Sequence, residues 1–180
     1  MQLRNILLFG MPRSGTTWLG KVFDSHPRTL YRHEPDSFGT LNAMPLFPQL
    51  QDAEQYGQLL KQFVDTLPET RSARVTGKLP QFPKAYQGPV AFQVRKMGLL
   101  ASKVLGRVTG AELPLPVMAN RGYNGDAWLG WKSIESLGRL GVIASLLPEC
   151  HAVHILRHPC GYVSSILRGE SQGQLGGDVP

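Results

Sequence analysis

The stretch Gly10-Met11-Pro12-Arg13-Ser14-Gly15-Thr16-Thr17-Trp18-Leu19 (GMPRSGTTWL) decides how this chain is read. It follows the apolar run Ile6-Leu7-Leu8-Phe9, so a buried strand leads straight into a turn. Gly10 and Gly15 have the spacing of the phosphate-cradling pattern G-x-x-x-x-G-K-[ST], but Thr16 stands where that pattern has its lysine. The glycines let backbone N–H groups converge on one anion. A helix starting at Thr16 aims its free N–H groups and positive dipole end at the same point. Thr16 and Thr17 add hydroxyl donors, and Arg13 adds a fixed cationic fork. The loop can therefore hold a phosphate-like group without a lysine.

Outward from this loop, the pattern alternates strands and helices. Residues 3–9 read as a strand, 16–25 as a helix stopped by Pro27, and 29–31 as a second short strand. On that helix, Trp18, Leu19, Val22 and Phe23 mark the expected packed face. Residues 52–67 read as a helix with Tyr56, Leu59, Leu60, Phe63 and Val64 on one side. Residues 37–50, 68–89 and 111–130 are rich in turn formers. Residues 90–108 mix Arg95, Lys96, Lys103 and Arg107 with apolar side chains. This suits a surface helix packed on one side, and less well one lying on a membrane. Residues 128–134 and 152–156 read as strands, the latter buried, and 140–147 and 161–168 as helices. The order predicts an α/β fold with a mainly parallel sheet.

Length and composition narrow the classes. The 180 residues suit one domain, residues 1–180, with a glycine-rich tail over 169–180. The chain is 42% hydrophobic and carries a net charge of +6, which favours anionic partners. Two cysteines, Cys150 and Cys160, make no disulfide framework and are expected as buried thiols in a reducing compartment. No apolar run reaches membrane-spanning length, so a soluble, cytoplasmic protein is expected. No continuous aromatic-basic motif marks a nucleic-acid binder. No recurrent Cys/His or paired-carboxylate spacing marks a metal site. His26, His151 and His154 carry little weight, as a helix-end residue and two strand residues that need not share a face.

Pro12 to Leu19, PRSGTTWL, resembles the 5′-phosphosulfate loop of the sulfotransferases, which use 3′-phosphoadenosine 5′-phosphosulfate (PAPS). Arg13 in this loop is similar to the Golgi, tyrosylprotein and many bacterial members. The resemblance implies a P-loop kinase-like three-layer fold and transfer of a sulfuryl group to an acceptor hydroxyl. It implies that Arg13, Ser14, Gly15, Thr16 and Thr17 surround the phosphosulfate and that Trp18 contacts adenine. A second motif, His154-Ile155-Leu156-Arg157-His158-Pro159, leads to Ser164-Ser165. The family places an arginine at a strand end and a serine eight residues on, and both grip the 3′-phosphate. Arg157 and Ser165 match that spacing.

Sulfuryl transfer needs a base for the acceptor proton and cations at the leaving phosphate. The resemblance assigns these roles to Glu34 as base, with Lys132 and Arg13. Glu34, in YRHEP, resembles the glutamate of tyrosylprotein and several bacterial members, and His33 stands beside it. Adjacent side chains of an extended segment usually point apart. Lys132 resembles a lysine of cytosolic members that approaches the sulfonate. The cytosolic catalytic histidine, two residues on, is replaced by Ile134, and Glu135 is the runner-up base. No metal is implied. The acceptor stays open among carbohydrate, lipid, small alcohol or phenol, and peptidyl tyrosine, and so does the oligomeric state. Family members also carry a later Gly-rich basic loop over the 3′-phosphate, and nothing after Gly169 resembles it. The expectation is a domain incomplete at its C-terminal side. The alternatives are an inactive nucleotide-binding relative and a P-loop kinase or NTPase. The last is disfavoured by Thr16 in the lysine position.

Overall fold

The computed structural model describes residues 3–38, 41–110, 115 and 127–173. Strands β1 (Arg4–Gly10), β2 (Thr29–His33), β3 (Trp128–Ser133) and β4 (Cys150–Ile155) form one parallel sheet in the order β2-β3-β1-β4. Alternation along the strands sorts their side chains onto two faces. Leu7, Phe9, Leu30, Leu129 and Trp131 build the main core on one face. Helices α2 (Gly57–Thr66) and α5 (Leu140–Leu146) cover it through Leu60, Phe63 and Ile143. Phe63 meets the Trp131 ring edge-on, with centroids 5.2 Å apart. The opposite face carries Tyr31, His33, Gly130 and Lys132 towards helix α1 (Thr16–Ser25). A short helix α3 (Ala73–Thr76) packs beside β2, and α4 (Pro89–Thr109) packs on α3. Helix α6 (Pro159–Ser171) follows β4. The result is the α/β architecture that the alternating pattern predicts.

The packed face of α1 differs from the expected one. Its buried residues are Thr16, Gly20 and Asp24, spaced four apart, while Trp18 is 72% exposed and Val22 48%. Gly20 lies so close to Tyr31 that a Cβ there would sit 2.2 Å from the phenol oxygen. Small residues let helix and sheet approach, and the large apolar ones are left on the outer surface.

Three other expectations are corrected. The helix expected over 52–67 begins as a 3₁₀ turn, Leu50–Tyr56, and becomes α-helical only at Gly57. Strand β4, expected to be buried, exposes His151, Ala152 and His154. It pairs with β1 alone, so among the described residues its other edge has no partner strand. The cysteines also differ, because Cys160, at the start of α6, is exposed and Cys150 only half-buried. Helix α4 is continuous, yet it leaves Val90, Met97, Val104 and Val108 exposed and buries Leu99 and Ser102. Most of the expected turn region 111–130 lies outside the described residues. No described helix is long and apolar enough to cross a membrane.

Candidate active site

The C-terminal ends of the parallel strands open into a cleft of about 880 Å³. This is the edge where open α/β sheets place their ligands, at the crevice where successive connections leave in opposite directions. Here β1 leads by α1 towards β2, and β3 leads by α5 to β4 on the other side of β1.

The floor is the turn from β1 to α1. Ser14 N–H donates to the Met11 carbonyl at 3.1 Å, which closes the turn. Gly15 then takes a left-handed φ of 103°, and α1 starts at Thr16 without a side-chain cap. Its first N–H groups thus have no capping side chain competing for them. Gly10 is needed for a different reason. A Cβ there would fall 2.8 Å from both Ser14 Oγ and the Ile155 carbonyl. Among the described residues Ser14 Oγ is buried without a hydrogen-bond partner. Two glycines, free helix N–H groups and an orphaned hydroxyl suit an anion of phosphate type.

The β4 side supplies two cations and a hydroxyl. Arg13 has a left-handed φ of 66°. Its Nε donates to Ser165 Oγ and its Nη2 to the Ser165 carbonyl, each at 3.3 Å. Arg157 Nη1 donates to the Arg13 carbonyl at 2.7 Å. Residues from three places in the chain, Arg13, Arg157 and Ser165, thus meet at the loop. His158 caps α6 by accepting the Cys160 N–H at 3.2 Å, which fixes the corner between Arg157 and Ser165.

The β2 and β3 ends supply the other half. Glu34 N–H donates to the Lys132 carbonyl at 2.8 Å, extending the β2–β3 ladder by one residue. Glu34 has φ 46°, left-handed for a non-glycine residue. Lys132, its side chain 2% exposed, donates to Glu34 Oε1 and lies 3.4 Å from Thr17 Oγ1. Burial pulls the Lys132 pKa down, and the Glu34 carboxylate opposes that shift. Contrary to the extended-segment expectation, His33 Nε2 lies 3.8 Å from Glu34 Oε1. His33 Nδ1 shares a hydrogen bond of 3.1 Å with Tyr31 Oη. Desolvation, followed by the Lys132 charge, lowers the His33 pKa to about 4. Tyr31 is pushed up, first by burial and then by Asp24 and Glu34.

The cleft lining therefore includes Arg13, Gly15, Thr16, Thr17, Trp18, Glu34, Lys132, Arg157 and Ser165. Ser14 sits in the loop beneath. Glu135 is exposed, one residue past Ile134, and is not part of the lining. The sequence reading missed the supports. Ser133 and Ser136 hydroxyls both donate to buried Asp36 Oδ2, tying the ends of β2 and β3 together. Ser133 Oγ also accepts the Glu135 and Ser136 N–H groups, the mark of a serine turn. That spacing was readable, whereas its partner Asp36, 97 residues away from Ser133, was not. Among the described residues, no group of three or more His, Cys, Asp or Glu is placed to hold a metal ion.

Comparison with family models gives one assignment, "Sulfotransferase family", over residues 5–174. Neither the curated proteins nor the solved structures yield a match. The matched span runs from β1 through the end of α6 and contains every residue of the cleft described above. A phosphate-type loop with threonine for lysine, facing an arginine–serine pair and a lysine–glutamate pair, has its explanation there: the chain belongs to the sulfotransferase family.

Proposed function

We propose that this chain transfers a sulfuryl group from 3′-phosphoadenosine 5′-phosphosulfate to an acceptor hydroxyl, with Glu34 as the base. The observation that carries the reading is Lys132, which touches the base on one side and the anion loop on the other. A carboxylate, an ammonium group and a helix N-terminus within one cleft are the groups that in-line transfer requires.

In this reading the N–H groups at Thr16 and Thr17, with both hydroxyls and Ser14 Oγ, hold the phosphosulfate. Arg157 and Ser165 hold the 3′-phosphate. Arg13, within reach of Ser165, neutralises charge on the donor. Exposed Trp18 offers a face for adenine. Glu34 accepts the acceptor proton as its oxygen forms the new S–O bond. The S–O bond to the 5′-phosphate breaks, and its electron pair leaves on adenosine 3′,5′-bisphosphate. Lys132 stabilises negative charge on the sulfuryl oxygens.

Calorimetric titration with adenosine 3′,5′-bisphosphate, against adenosine 5′-phosphate, tests the donor site. One charge-assisted contact contributes roughly 1.5–3 kcal/mol, so a preference of about tenfold or more is expected. Arg157→Ala should abolish it. A folded protein with no such preference would refute the assignment.

A further inference from the structure

We infer that two copies of this chain pair through helix α4, antiparallel, along its outward face. The inference stands on that helix and does not depend on the reaction proposed above.

Helix α4 is 21 residues long, about 30 Å, and its two faces are reversed. A surface helix ordinarily turns its apolar stripe inward and its charges to water. Here the inward side is centred on Leu99, 1% exposed, with Ser102 buried beside it. Leu99 lies against Gly77 at the end of α3, where an added Cβ would sit 2.3 Å from Leu99 Cδ1. Arg95 Nη2 donates to the Thr76 carbonyl at 3.4 Å on the same side. At helical spacing Lys96 and Lys103 also fall within about 60° of Leu99. Val90, Val94, Met97, Ala101, Val104 and Val108 fall on the opposite side, and all six are exposed. Successive members lie 4, 3, 4, 3 and 4 residues apart, a heptad a/d seam over the whole helix. None of the six carries a charge.

The order of residues along the seam selects the partner. A two-fold contact lays one surface on a copy of itself, and an antiparallel pair sets a positions against d positions. About a centre at Leu99, Val90 then faces Val108 of the second copy, Val94 faces its Val104, and Met97 faces its Ala101. Valine meets valine in the four outer layers. In the two central layers the long Met97 meets the small Ala101, so the seam fills evenly. With Leu100 and Leu105 at the rims, this face leaves roughly 700 Å² of side-chain surface in water per chain, so a two-fold pairing can cover more than the roughly 1,000 Å² of a specific interface.

A lipid surface fits this face less well. An interfacial membrane helix carries Trp, Phe or Leu on its apolar face and free cations opposite. The seam is valine, alanine and methionine, and opposite it Arg95 is bonded to the Thr76 carbonyl. A bilayer also makes no use of a seam matched residue by residue about its own centre.

Sedimentation velocity of the full chain tests the pairing, and a dimer should form as the concentration rises from about 2 to 200 μM. Val94→Glu and Val104→Lys each put lone charges into the seam, and each should weaken the dimer at least about a hundredfold. Both positions are exposed, so the dilute variants should keep the parent's circular dichroism. An equimolar mixture of the two should recover most of the lost affinity. In the mixed dimer the glutamate faces the lysine in one layer, and valine faces valine in the matching one. A parent chain still monomeric at about 200 μM overturns the inference, and its flotation with phosphatidylcholine–phosphatidylserine vesicles would give the face to lipid instead. Single variants that dimerise as the parent does place the contact elsewhere and overturn it too. A mixture no tighter than either variant alone overturns the antiparallel register, and with it the inference.

Discussion

Two non-glycine residues of the cleft, Arg13 and Glu34, hold left-handed backbone conformations. Such conformations cost free energy and persist where the surroundings over-determine them. Arg13 is held by Ser165 and Arg157, and Glu34 by the Lys132 carbonyl and ammonium group. Glu34→Gln keeps the shape and one acceptor oxygen beside Lys132 but removes the proposed base. We expect the rate of sulfuryl transfer to fall by about 10²–10⁴, with bisphosphate affinity nearly unchanged, in a single-turnover assay. A variant that keeps the parent rate would exclude Glu34 as base. His33 gives a prediction for stability. It is 9% exposed and faces Tyr31 Oη, Glu34 and Lys132, with Lys78 and Lys21 further off. Its pKa is about 4 in the folded chain, against 6.5 for a free histidine. Above pH 6.5 both folded and unfolded forms are neutral. Between 6.5 and 4 the unfolded chain binds more protons, so stability falls as the pH falls through that window. Urea midpoints measured from pH 7 to 4 should show the decline, and His33→Gln should flatten it.

At the scale of elements, α1 joins the loop to the sheet through Gly20. Gly20→Ala would place a Cβ 2.2 Å from Tyr31 Oη and 2.6 Å from its Cζ. Either the ring or the helix must shift, and overpacking of this kind costs about 1–3 kcal/mol. Chemical denaturation should show that loss, although alanine is the better helix former. A neutral or stabilising effect would mean that Tyr31 has another place to go. The same helix shows what sequence could and could not convey. Its limits, Thr16 to Ser25, were legible because the glycine-rich turn and Pro27 bracket it. Its inner face was not, because apolar periodicity pointed to Trp18 and Val22 while the sheet accepted the small residues Thr16 and Gly20. Strand β1 was legible as a short apolar run, and β3 as an extended segment carrying Lys132. The exposure of β4 was not, since burial depends on neighbours and not on the strand's own composition.

At the scale of the whole molecule, the loop and the β4 end of the cleft were legible and the part lined by residues 80 and 82 was not. The loop at residues 10–19 and the Arg157–Ser165 pair are local motifs whose chemistry is written at fixed spacing. The segment 78–84 is held to α1 by long-range contacts: Lys21 donates to the Lys78 and Pro80 carbonyls, and Lys84 bonds back to α1 across about 60 residues of chain. Nothing in the run KLPQFPK announces that its final lysine turns inward. Its interior position also decides its energetics. Asp24 is 7% exposed and neutralises two lysines whose pKa values burial pulls down. Removing the shared carboxylate leaves two cations in a poorly solvated place. Breaking a buried ion pair by removing one partner costs about 3–5 kcal/mol, so Asp24→Ala should destabilise the fold by that order. A second change should separate the charge pairing from the backbone contacts of segment 78–84. Adding Lys84→Met to Asp24→Ala removes one of the stranded cations, so the pair should cost less than the sum of the two single variants. Denaturation of all four proteins gives the coupling directly. Additive costs would mean that Lys84 is not paired with the Asp24 carboxylate in solution. The segment would then be held by backbone carbonyls, those of Asp24 and His26 on Lys84 and those of Lys78 and Pro80 on Lys21.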